Sequence, residues 1–136
     1  MVPTTRRRLK CGVIVNETDD RFYIAESTVP GAGRGLFARV PLSTGDRLAV
    51  IGVLVAPDSL SDQLTAYTDE YKLRLGSLLL IPLGYGGMVN HSADPNLEKQ
   101  VEGDSLYLRV TRPVQAGEEL FFSYSDYARQ RYGIDT

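Results

Sequence analysis

A single cysteine, Cys11, and a single histidine, His91, leave this 136-residue chain without the raw material for several common chemistries. One thiol cannot close an internal disulfide or build a cysteine zinc site. One imidazole leaves a hydrolase triad or a histidine-rich metal centre dependent on that residue alone, and no metal is expected. There is no G-x-S-x-G elbow, no Walker loop and no C-x-x-C pair. No apolar run approaches the roughly 20 residues of a membrane span, and Arg6-Arg7-Arg8-Leu9-Lys10 leads into no apolar signal region. The expectation is therefore an intracellular protein with neither membrane segment nor secretion signal. A net charge of -2 argues against direct nucleic-acid binding, which needs a concentrated basic surface. The basic run reads as a flexible, solvated tail over residues 1–10.

What is present is the balance of an ordinary globular domain, 43% apolar and 24% charged, in a length that suits one domain over residues 1–136. Cys11–Val15 and Arg21–Ala25 read as two strands of a hairpin, and Leu36–Val40 and Arg47–Val55 as two more. Pro57–Tyr67 carries the best helix signal, with Asp58 or Ser59 as N-cap and Leu60, Leu64, Tyr67 and Tyr71 at helical spacing, a stripe expected in the core. Tyr71–Leu75, Leu78–Ile81, Asn96–Gln100, Ser105–Thr111 and Leu120–Tyr124 complete the expected strands. Many short strands broken by glycine and proline, with one or two helices, make a mostly β fold.

Three stretches stand out. Gly31-Ala32-Gly33-Arg34-Gly35-Leu36-Phe37-Ala38 satisfies the dinucleotide pattern G-x-G-x-x-A, but Pro41 and Gly45 follow too soon for the helix that pattern must open. Backbone bending toward a ligand is what remains. Gly84-Tyr85-Gly86-Gly87-Met88-Val89-Asn90-His91-Ser92-Ala93-Asp94-Pro95-Asn96 joins a glycine-thinned segment to side chains that bond main chain, closed by Pro95, and is expected to be irregular. Gly117-Glu118-Glu119-Leu120-Phe121-Phe122-Ser123-Tyr124 ends the series. The adjacent acids Glu118 and Glu119 point to opposite faces of a strand, which makes them poor acid–base partners and assigns them a structural role.

In this order, the three stretches resemble the SET-domain family of protein-lysine methyltransferases: G-x-G, then N-H-S-x-x-P-N, then G-E-E-L-x-x-x-Y, over residues 26–127. The resemblance implies a fold of small curved sheets, a β-clip, with a knot-like C-terminal threading. It implies S-adenosylmethionine as cofactor, S-adenosylhomocysteine as product, and lysine methylation of a protein, a histone tail being one candidate and then a nuclear setting. By resemblance Tyr124 is the catalytic tyrosine. Gly33, Arg34, Gly35, Asn90, His91 and Tyr85 would hold the cofactor, and Tyr71, Phe122 and Tyr127 would wall the substrate-lysine channel. Phe122, lacking a hydroxyl to hold water, leans toward di- or trimethylation.

The cysteine-rich segments that flank the catalytic core in many relatives are absent from this sequence, and twelve residues follow Tyr124. That tail or a second copy in a homodimer is expected to cover the site. The acids Asp58, Asp62, Asp69, Glu70, Glu98, Glu102 and Asp104 would suit a basic peptide. A different class of function, a peptide- or partner-binding module of the same fold without transferase activity, is disfavoured by the intact Asn90, His91 and Tyr124.

Overall fold

The computed structural model describes residues 18–123. Within them the chain runs β1 (Phe22–Glu26), β2 (Arg34–Ala38), β3 (Arg47–Val55), α1 (Leu60–Leu64), β4 (Leu73–Leu75), β5 (Leu78–Leu83), β6 (Asn90–His91), β7 (Leu97–Glu102), β8 (Ser105–Val110) and β9 (Glu119–Phe122). Two 3₁₀ stretches, Ala66–Tyr71 and Gly84–Met88, interrupt it. Short strands separated by turn residues yield two sheets, ordered β1-β2-β9-β6 and β4-β5-β3-β8-β7. The mostly β expectation holds.

The nine-residue β3 is long enough to serve two partners. Its first half pairs with β8 from Arg47↔Arg109 to Val50↔Leu106, and its second half with β5 from Ile51↔Leu83 to Val55↔Leu79. The outer strands of this sheet approach one another, because Lys99 on β7 donates its Nζ to the Arg74 carbonyl of β4 at 2.9 Å. Burial, and then the charge of Arg74, hold the Lys99 pKa below the usual lysine value. The five-stranded sheet is thus curved almost closed.

Alternation on β8 turns Leu106, Leu108 and Val110 inward, as period two demands. They meet Phe22, Leu36, Leu120 and Phe122 of the other sheet in one core. Leu36, Leu108 and Leu120 are fully buried, each contributing about 1.5–3 kcal/mol relative to exposure. This shared core fixes β9 against β2 on one side, Leu36↔Leu120, and β6 on the other. The knot-like threading expected beyond this pairing is not shown by residues 18–123.

β1 pairs with β2, in register from Phe22↔Ala38 to Glu26↔Arg34; Cys11–Val15, the hairpin partner expected for it, lies outside the described residues. Two expectations need correction. The central loop is more regular than anticipated, since Asn90 and His91 form a short ladder parallel to β9. The helix is also shorter than its periodicity suggested, and its apolar stripe is not core: Leu60 and Leu64 are each 70% exposed, and Tyr67 is 82% exposed.

The inward position of α1 is taken by Asp62 instead. Ser59 caps the helix by accepting from the Asp62 N–H at 3.2 Å, and the Asp62 carboxylate takes the Asp58 N–H at 2.7 Å. Buried Lys72 then donates to the Asp62 carboxylate and to Asp69 Oδ1, each at 2.6 Å, and to the Asp62 carbonyl at 2.9 Å. A polar clamp, not apolar packing, holds this segment between β3 and β4.

Candidate functional site

The site is assembled by β9, which carries Glu119 into the space between the β1–β2 turn and β6. Glu119 is 4% exposed. Its carboxylate accepts from the Ser27 hydroxyl at 2.8 Å, the Thr28 N–H at 2.8 Å, the Thr28 hydroxyl at 2.6 Å and the Asn90 side-chain amide at 3.2 Å. Burial pushes the carboxyl pKa up, but the bonds from Thr28, Ser27 and Asn90 outweigh it and hold the group below its ordinary value. It stays ionised at neutral pH.

Asn90 also donates to the Arg34 carbonyl at 3.0 Å. One amide thereby ties the glycine-rich stretch, the central loop and the last strand into one locus. Gly35 makes the approach possible: a β-carbon there would lie 3.0 Å from the Glu119 carboxyl carbon and 3.1 Å from the Asn90 amide nitrogen. Any larger residue collides. Gly33, with φ of +77°, turns the chain so that its carbonyl accepts from the Ser27 N–H at 2.8 Å.

The second asparagine of the central loop works from the other side. Asn96 is 1% exposed, donates to the Glu119 carbonyl at 3.0 Å and accepts the Phe121 N–H at 2.8 Å. It acts as a side-chain substitute for a neighbouring strand, satisfying main chain that the two-residue β6 is too short to reach.

The turn between Glu26 and Arg34 encloses an open cleft of about 800 Å³, with Gly33 and Arg34 among its walls. That volume is within the range of small-molecule sites, about 300–1,000 Å³. A smaller cleft of about 400 Å³ lies between β3 and the β7–β8 turn.

Of the residues singled out from the sequence, Gly33, Arg34, Gly35 and Asn90 are brought together. His91 sits beside Asn90, half-buried and opposite Phe122. Tyr85 packs against the core with its ring 5.9 Å from that of Phe22, and it does not line the larger cleft. Phe122 is a core residue, 6% exposed. Tyr71 ends the 3₁₀ stretch Ala66–Tyr71 and is 41% exposed. Tyr124 and Tyr127 lie outside the described residues.

The expected acidic surface is thinner than its residue count. Asp62 is buried and, like Asp69, paired with Lys72, while Glu98 pairs with Arg109 and Glu102 with Arg47. Sequence reasoning missed Ser27 and Thr28 and treated Glu119 as no different from Glu118. Their sequence separation from Glu119 is about 90 positions, and no local pattern announces it.

Comparison with known proteins agrees with this geometry. Residues 33–125 match the family model described as SET domain. Over 119 residues, covering 71% of this chain and 19% of the relative, the sequence is 29% identical to the histone-lysine N-methyltransferase Su(var)3-9 of Drosophila melanogaster. Over 55 residues, 38% of this chain and 6% of the relative, it is 44% identical to a histone-lysine N-methyltransferase, H3 lysine-36 specific, of Gibberella zeae. The chain therefore spans a fifth or less of either relative's length. The Polycomb Repressive Complex 2 of Chaetomium thermophilum, solved in an autoinhibited conformation bound to S-adenosylmethionine, shares the fold with a TM-score of 0.67 at 20% identity, over 77% of this chain and 15% of that one.

Proposed function

We propose, on the premise that the chain belongs to the SET-domain family, that it is a protein-lysine N-methyltransferase using S-adenosylmethionine, with a histone tail as the candidate substrate. The observation that carries the reading is the Asn90 amide, which bridges the Arg34 carbonyl and the Glu119 carboxylate and so unites the family's three motifs. The residues present fit the cofactor. The cleft has the volume for it, the Gly33–Arg34 backbone stands at its wall, and a buried carboxylate behind that wall suits a cationic ligand.

When bound, the cofactor supplies a methyl group on a sulfonium, already joined to a good leaving group. The protein's own task is to orient a neutral lysine amine and exclude water. A free lysine, with pKa near about 10.4, is overwhelmingly protonated at neutral pH. An apolar wall disfavours the ammonium, and each unit of lowering corresponds to about 1.4 kcal/mol. Phe122 is proposed for that wall, with Tyr71 and Tyr127, and the Tyr124 hydroxyl is proposed to orient the amine. Gly33, Arg34, Gly35, Asn90 and His91 are proposed to hold the cofactor, largely through main chain; Tyr85, which packs on Phe22 and does not line the cleft, is proposed to support them from the core side. A substrate peptide would bind extended, as an added strand, with a second copy of the chain covering the channel. Action on histones would place the protein in the nucleus.

The test is transfer of labelled methyl from S-adenosylmethionine to a histone panel and a whole-cell protein extract, beside Tyr124→Phe. Label in a protein band that drops sharply in the variant is expected. Cofactor binding with no labelled protein in either mixture would favour the binding-module reading; a monomeric mass with full activity would remove the second copy.

A further inference from the structure

Glu119 has an environment unusual for a buried acid. Taking a carboxylate out of water is costly unless it is hydrogen-bonded or paired, and buried acids are commonly matched by a cation. The donors seen on this one, the Ser27 and Thr28 hydroxyls, the Thr28 N–H and the Asn90 amide, are all neutral. Among the described residues no lysine or arginine forms an ion pair with it. Such donors satisfy lone pairs but leave the net charge intact, and a poorly polarisable surrounding lets that charge act over several ångströms. Ser27 and Thr28 both line the 800 Å³ cleft, so the charge stands directly behind its wall. The charged side chains on the cleft's own lining are Glu26 and Arg34, of opposite sign and both exposed, where solvent and salt screen them.

We infer that Glu119 is a positioning residue with an electrostatic role: it fixes the Glu26–Arg34 turn, and its uncancelled negative charge makes the cleft prefer the cationic sulfonium ligand to the neutral thioether left after transfer. The inference rests on the methyltransferase reading and deepens it. As the methyl carbon passes from sulfur to the lysine nitrogen, the C–S electron pair stays on sulfur, and the positive charge leaves with the methylated amine. The carboxylate then no longer has a sulfonium in the cleft to attract, so product is held less tightly than substrate. Turnover benefits from that difference.

The experiment is calorimetric titration of S-adenosylmethionine and S-adenosylhomocysteine into the full chain, as wild type, Glu119→Gln and Thr28→Val. Glu119→Gln keeps the shape and removes the charge; its affinity for S-adenosylmethionine should fall about tenfold and for S-adenosylhomocysteine less than about threefold. Thr28→Val removes one neutral donor and keeps the charge, so it should weaken both ligands by the same factor. Equal losses for both ligands in Glu119→Gln would overturn the electrostatic role. So would a Thr28→Val variant whose preference for the sulfonium collapses, which decides the matter even if Glu119→Gln does not fold. A wild type that binds neither ligand would overturn the methyltransferase reading and the inference with it, an outcome distinct from equal losses in a variant.

Discussion

Replacing Lys72 with methionine tests how the segment between β3 and β4 is held. Lys72 is 3% exposed and Asp62 1% exposed, and they meet at 2.6 Å. In Lys72→Met the Asp62 charge stays buried without its cation, whereas Asp69, with its side chain 20% exposed, can be reached by water. Breaking a buried pair by removing one partner costs about 3–5 kcal/mol, and the Asp62 half carries most of that here. With a urea m-value of about 1–3 kcal/mol per molar, the midpoint followed by far-ultraviolet circular dichroism should fall by at least about 1 M.

Lys72→Met with Asp62→Asn should recover much of the loss, because the uncharged amide can still accept the Asp58 N–H. The pH dependence has a definite sign. Burial lowers the Lys72 pKa, but Asp62 and Asp69 outweigh it, leaving the group above its ordinary value. Its contribution is therefore complete below the unfolded lysine pKa, about 10.4, and is lost as pH rises through the higher folded value. On the alkaline side the gap between wild type and variant should stay constant from neutral pH to about pH 9 and close in strong alkali. A loss under about 1 kcal/mol at neutral pH would refute the clamp.

Three further outcomes follow from the site. Gly35→Ala forces a β-carbon against Glu119 and Asn90, and should cost about 1–3 kcal/mol in thermal or urea melts while weakening cofactor binding. Glu119 has a depressed folded pKa, so its contribution is present above the unfolded glutamate value, about 4.3, and is lost as pH falls through the folded one. Acid denaturation of Glu119→Gln should accordingly be shallower than that of the wild type. Asn96→Leu strands the Phe121 N–H and the Glu119 carbonyl, at about 1–3 kcal/mol for each buried group, and a urea midpoint unchanged from wild type would contradict the bridging role.

Much of the architecture was legible because it follows from local rules. Alternation found β8, β-branched content found β3, and the Glu102–Asp104 turn joined β7 to β8 as expected. The helix stripe misled because periodicity reports which residues share a face, not whether that face is covered; here the covered face is secured by Asp62 and Lys72, and Leu60, Leu64 and Tyr67 face solvent. In the site, motif order pointed to Gly33–Gly35 and Asn90. Glu119 was not legible, since its neighbour Glu118 is chemically identical and only the tertiary approach of Ser27 and Thr28 distinguishes them. The β6–β9 ladder was hidden for the same reason: two residues carry no period, and parallel pairing across 31 positions leaves no local mark.

The central claim is that the three motifs form one cofactor site. The most direct measurement is an amide nitrogen–proton NMR titration of the ¹⁵N-labelled chain with S-adenosylmethionine. Shifts concentrated at residues 27–35, 90–92 and 119–122 are predicted. Shifts confined to the smaller cleft between β3 and the β7–β8 turn, or none at saturating cofactor, would contradict the account.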